Sequence, residues 1–153
     1  MDLAIVHGNM VKNAIVRKLR AIAGDVPIYA EQILQDFEEP CFFVYEASVY
    51  EERDIEPVFW QHRRIEVKYY TNPDSSQRCA EALAMGERIR RTLAYIDLES
   101  NSQGDTLLTR AIGADFRLFE DYCVYYATYR LKCRIQEGKS ALMAQRQDNF
   151  ELL

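Results

Sequence analysis

The sequence predicts an α+β fold in two layers: two main helices packed on one face of a mostly antiparallel or mixed β-sheet. Three observations carry this prediction. Val11, Ile15, Leu19 and Ile22 recur at the spacing of one helix face. Ile65, Val67 and Tyr69 alternate with Arg64, Glu66 and Lys68, the period of a half-buried strand. The elements also run in the order helix, short strand, hairpin, helix, hairpin, which segregates the helices from the sheet.

The first helix spans 9–23. Asn9 suits an N-cap and Gly24 the C′ position, and the bases Arg17, Lys18 and Arg20 gather where the helix dipole favours them. Pro27 forbids continuation, and Ile28 opens a short strand. Pro40 precedes a first long strand over 41–52, and a second covers 59–71, with a short acidic link at Asp54–Pro57 that suits an antiparallel hairpin. The cluster Asn72-Pro73-Asp74-Ser75-Ser76 is a turn that launches a second helix, ending near Tyr95. Its expected apolar stripe is Cys79, Leu83, Gly86, Ile89 or Arg90, Leu93 and Ile96. A polar loop at Glu99–Asp105 follows, then a second hairpin with strands over 106–119 and 122–136. In the last strand Cys123, Tyr125, Ala127, Tyr129, Leu131, Cys133 and Ile135 share one face.

A chain of 153 residues that is 48% hydrophobic fits one domain with a real core. We place that domain at 1–138 and read 139–153 as a tail, a short helix or a loose segment. Ten Tyr and seven Phe suit strands and also supply interface anchors. Net charge is −5, which speaks against nucleic acid as the main partner. The sequence shows neither a run long enough to span a membrane nor the basic start of a signal peptide.

The chemistry expected is none: no catalytic residue, no cofactor, no metal site. Phosphate-loop, dinucleotide, nucleophile-elbow and HExxH patterns are missing. His7 and His62 lack a neighbouring nucleophile and orienting partner. Cys41, Cys79, Cys123 and Cys133 are far apart, without zinc spacing, and read as small core hydrophobes in a reducing compartment. The doublets Glu38–Glu39, Glu51–Glu52 and Glu120–Asp121 point to opposite faces in a strand, so they read as solvated turn charges.

Charge is segregated along the chain. Nine carboxylates (Glu31, Asp36, Glu38, Glu39, Glu46, Glu51, Glu52, Asp54, Glu56) face one base, Arg53, over 31–56. Over 62–91 the bases Arg63, Arg64, Lys68, Arg78, Arg88, Arg90 and Arg91 dominate. Two readings stay open: solvated faces, or opposite flanks that let one copy's acidic side meet its neighbour's basic side. The interface candidates are therefore Glu51, Glu52, Asp54, Glu56, Arg63, Arg64, Arg88 and Arg91, with Phe59 and Trp60 as aromatic anchors. Core packing is the competing role for Trp60.

One segment carries a resemblance. Pro27, Ile28, Tyr29, Glu31, Phe37, Glu38, Glu39, Pro40, Cys41, Phe42, Phe43 and Val44, then Ile65–Tyr70, then Phe119-Glu120-Asp121-Tyr122 through Tyr129-Arg130, resemble the tail terminator family of bacteriophages and prophages. The likeness covers about residues 9–136, and PCFF is its most specific piece. The sequence departs from the pattern at Trp60-Gln61-His62 and beyond Gly138.

The resemblance implies a structural, non-enzymatic protein. It would form a ring with copies of itself, a hexamer in related terminators, that caps the head-proximal end of the tail tube. The ring would stop tube polymerisation and join the head–tail connector. Implied partners are itself, the tail tube protein and a neck protein, in the virion tail and in the bacterial cytoplasm during assembly, without a membrane or sequence-specific nucleic acid. The hairpin tip and the Glu99–Asp105 loop would make inter-subunit or tube contacts. The alternatives are another neck or head–tail connector component, a minor tail protein, or a nucleic-acid module using the Arg130, Lys132 and Arg134 face.

Overall fold

The helix α1 (Met10–Ala23) touches strands from both sides of the sheet order, the end strand β5 (Tyr95–Glu99) on one side and β3 (Cys41–Arg53) on the other. This is possible only because the sheet curls around it. The computed structural model describes residues 4–5, 10–30, 37–55, 57–99, 106–135 and 150–152. The remaining elements are β1 (Ala4–Ile5), β2 (Ile28–Tyr29), β4 (Val58–Tyr70), α2 (Arg78–Thr92), β6 (Thr106–Leu118), β7 (Tyr122–Ile135) and β8 (Phe150–Leu152).

Six strands form a mixed, curled sheet in the order β2-β3-β4-β7-β6-β5. Only the β2–β3 pair is parallel. The short β8 pairs with the end of β7 at Cys133–Ile135, and β1 pairs with β8. Both helices pack on one face of the sheet, the α+β architecture read from the periodicities.

Each main helix forms for a visible reason. In α1 the residues Val11, Ala14, Ile15, Leu19 and Ala23 are buried, a stripe one turn apart. Gly24 follows with φ +60, the left-handed residue that ends the helix. Arg17 donates to the Asp97 carbonyl at 3.1 Å and Lys18 lies 3.9 Å from the Asp97 carboxylate, which ties α1 to β5.

In α2 the buried face is Ala82, Gly86 and Ile89, continued by Leu93, and not the expected stripe through Cys79 and Leu83, which are exposed. Close approach of Gly86 to β6 sets the rotation: a Cβ there would sit 2.7 Å from the Phe116 ring. The helix stops at Thr92, and Ile96 belongs to β5, a strand the sequence reading took for the helix end and loop.

The long pairings fix the faces. Every residue from Val58 to Tyr70 has a partner on β7, without a slip. The β3–β4 pairing shifts by one residue between Glu46 and Ser48, and the β6–β7 pairing between Ile112 and Asp115, where Gly113 has φ +62. Both are bulges, which bend a strand and re-aim side chains. On the helix-covered face Phe42, Val44, Ile65, Val67, Tyr125, Ala127, Tyr129 and Leu131 form the core with both helices. Each fully buried large side chain contributes about 1.5–3 kcal/mol.

The 139–153 tail falls mostly outside the described residues. Its described end, Phe150–Leu152, is a short strand paired with β7 on one side and β1 on the other.

Candidate assembly interface

The face of the sheet away from the helices is ordered in cross-strand rows. Pairing places Tyr70 beside Tyr122, Lys68 beside Val124 and Arg117, Glu66 beside Tyr126 and Asp115, and Arg64 beside Thr128 and Ile112. Two further rows bring His62 beside Arg130 and Trp60 beside Lys132. Directly paired residues share a face, so side chains distant in sequence become one surface.

One end of this surface is aromatic. Phe43 packs on Phe37 at 5.0 Å between ring centroids, on Tyr29 at 5.2 Å and on Tyr70 at 5.7 Å. Tyr70 stacks on Tyr122 at 5.1 Å, and Tyr122 on Phe119 at 4.4 Å. The other end is built on cation–π contacts. The Arg130 guanidinium lies 3.7 Å from the Trp60 ring centre and the Lys132 ammonium 5.7 Å from it. Trp60 is half-buried beneath these cations.

Beyond this face the β3–β4 hairpin runs out as an arm. From Val44 onward the outer edge of β3 has no strand partner among the described residues. Residues 47–55 are all exposed, including Val49, Tyr50, Glu51, Glu52 and Asp54, and Ile55 at the tip is 84% exposed. The turn is set locally, with the Asp54 carboxylate accepting from the Ile55 N–H at 2.9 Å. On the inner half of the arm Tyr50 stacks on His62 at 4.4 Å, and the His62 ring meets Glu52 at 3.1 Å.

A hollow of about 330 Å³ opens on the helix-free face, lined by Arg64, Gly113, Asp115, Arg117 and Tyr126. It exists because the β6 bulge at Gly113 pulls that strand out of regular pleat beside Arg64. Sequence reasoning did not find it. The available signal was a glycine inside a strand, which marks a bulge.

The model of the phage tail terminator protein family matches residues 10–140, from the first residue of α1 past the end of β7. The chain belongs to this family. No curated protein matches it.

The terminator's interface candidates that reach the surface, Trp60 only in part, fall into three places. Glu51, Glu52 and Asp54 are on the arm; Trp60 and Arg64 are on the helix-free face; Arg88 and Arg91 are on the outer side of α2. Two candidates lie inside the chain. Phe59 is 4% exposed and packs in the core, because its register with Cys133 puts it on the helix-covered face. Arg63 is 5% exposed and donates to Glu46 at 2.5 Å and to Gln61 at 2.7 Å. Glu56, most of the Glu99–Asp105 loop and His7 lie outside the described residues.

The charge blocks do not sit on opposite flanks as whole segments. The acidic β3 is hydrogen-bonded directly to the basic β4, and Glu46–Arg63 and Glu52–His62 are contacts between the two blocks. Arg78 is taken by Glu39 at 3.6 Å and Asp121 at 3.7 Å, and Arg91 by Glu87 at 3.7 Å. What stays outward is narrower: the acidic tip of the arm, the arginines of α2, and those of the helix-free face.

Three of the terminator's four thiols are buried and unsuited to nucleophilic work. Cys41, Cys123 and Cys133 are buried, and burial pushes them up to about 12, about 11 and about 12. Cys79, expected in the core, is exposed on α2.

Proposed function

We propose that this terminator acts as a ring of its own copies, six as in the terminators it resembles, seated on the head-proximal end of the tail tube. The ring stops further tube protein from adding and offers its other side to the head–tail connector. The protein works during assembly in the bacterial cytoplasm and remains in the virion tail. Nothing in this role calls for a catalytic group; the work is occupancy of a surface.

The observation that carries this reading is the arm. A run of exposed residues that ends in Ile55, with Glu51 and Asp54 beside it, extends past the chain's own core. Val49, Tyr50 and Ile55 are all exposed on this one hairpin, and apolar side chains grouped in this way suit contact with another chain. The arm and the arginine-bearing surfaces are unlike, which suits a heterologous contact between copies, and such contacts close into a ring when the rotation allows.

Light scattering over a concentration series, alone and with tail tube protein, tests the reading. A ring mass, and shortened tubes when the terminator is added to polymerising tube protein, are expected. A strict monomer under both conditions overturns it. Pull-down that favours the portal side over the tube assigns the protein to a neck component instead.

A further inference from the structure

We propose that the hollow on the helix-free face is the receptor for the arm of a neighbouring copy, with Arg64 and Arg117 gripping the carboxylates of Glu51 and Asp54 while Ile55 packs on Ile112. The inference rests on the ring reading above and names the surfaces that would build it.

The hollow has the chemistry of a carboxylate site. Two guanidinium groups line it with one acid, Asp115, whose Oδ1 already accepts from the Phe116 N–H at 2.8 Å. No carboxylate among the described residues is within salt-bridge distance of Arg64 or Arg117. Arginine presents its donors as a planar fork that matches a carboxylate in two bonds. Beside the hollow Ile112 is 42% exposed, an apolar spot next to two cations.

The arm presents the complementary group. Its tip combines an almost fully exposed isoleucine with the exposed carboxylates of Glu51 and Asp54, which no cation of the described residues pairs. Apolar and charged parts therefore match together. Donor and receptor are separate places on the chain, the tip of the β3–β4 hairpin and the hollow between β4, β7 and β6, so successive copies can join head to tail. The outer side of α2 is the weaker receptor: it is convex, and Arg91 is already held by Glu87.

Two experiments test this, both in a Cys79→Ser background so that no native exposed thiol interferes. In the first, Ile55→Cys and Ile112→Cys are placed in separate chains, mixed and mildly oxidised. Disulfide-linked heterodimers are expected in excess over homodimers. Homodimers alone overturn the pairing. In the second, light scattering follows Arg64→Glu/Arg117→Glu. Self-association is expected to weaken roughly tenfold or more, since like charges then meet across the contact. Adding Glu51→Lys/Asp54→Lys to the same chain is expected to restore it. These positions are exposed, so the thermal midpoint should stay close to that of the parent and separate lost docking from lost folding.

A ring that persists in Arg64→Glu/Arg117→Glu overturns this assignment while leaving the terminator reading intact. A ring lost only in Arg88→Glu/Arg91→Glu moves the receptor to α2 and also overturns it. If the parent chain stays monomeric with tube protein, both readings fall.

Discussion

Tyr129 donates its hydroxyl to the Leu93 carbonyl oxygen at 2.6 Å, across the interior from β7 to the residue that closes α2. Both residues are fully buried. The Tyr125 hydroxyl lies 3.2 Å from the Tyr129 hydroxyl, so two buried polar groups and one carbonyl satisfy one another. Tyr129→Phe removes the donor and leaves the carbonyl with only Tyr125, whose hydroxyl is 3.5 Å away. The expected loss is about 1–3 kcal/mol in urea unfolding. Tyr125→Phe should cost less.

Arg63 and Glu46 form a second interior polar link. Arg63→Met strands the Glu46 carboxylate on the helix-covered face, and the expected cost is about 3 kcal/mol, since that carboxylate keeps 19% access to water. Arg63→Met combined with Glu46→Leu is expected to recover only part of the loss, because the buried Gln61 oxygen still lacks the donor that Arg63 supplied. A double-mutant cycle by chemical denaturation reads the coupling.

Gly86 gives a prediction in which the sign reverses. Gly86→Ala drives a methyl into the Phe116 ring and should destabilise the protein, despite alanine's better helix propensity. In a Phe116→Ala background the ring that the methyl would strike is gone, and the same change should stabilise by up to about 1 kcal/mol. Thermal unfolding of the four variants settles which effect wins.

The thiols predict an alkaline limit. Buried Cys41, Cys123 and Cys133 stay protonated in the fold well above the ordinary value of 9.0. Their raised folded-state values mean a stability contribution complete below pH 9.0 and lost as pH rises toward 11 to 12. Each group should steepen the loss by about 1.4 kcal/mol per pH unit in that window. The urea midpoint measured from pH 8 upward checks this. At neutral pH a thiol reagent should modify Cys79 rapidly and the other three only on unfolding.

Local pattern made much of this terminator legible. The one-face spacing of Val11, Ile15 and Leu19 and the alternation along Tyr125, Ala127 and Tyr129 survive folding, because each records which side faces the core. Both long hairpins were readable, since Asp54–Pro57 and Glu120-Asp121 carry turn chemistry between strand-like runs. Other features depended on distant partners. Ile96 continues the α2 spacing and so masked β5, whose strand character comes from pairing with β6. Cys79 and Leu83 looked like core until the contact of Gly86 with Phe116 set the roll of α2.

By itself, then, the sequence determined the layer architecture, the two helices, the two hairpins and the family. Those follow from periodicity and turn residues, which act over a few positions. Tertiary structure alone decided which charges remain available. β3 lies against β4, so Glu46 neutralises Arg63 inside the domain, while the bulge at Gly113 gathers Arg64 and Arg117 around one hollow. Coulomb attraction depends on distance through space, and only strand pairing converts sequence order into that distance.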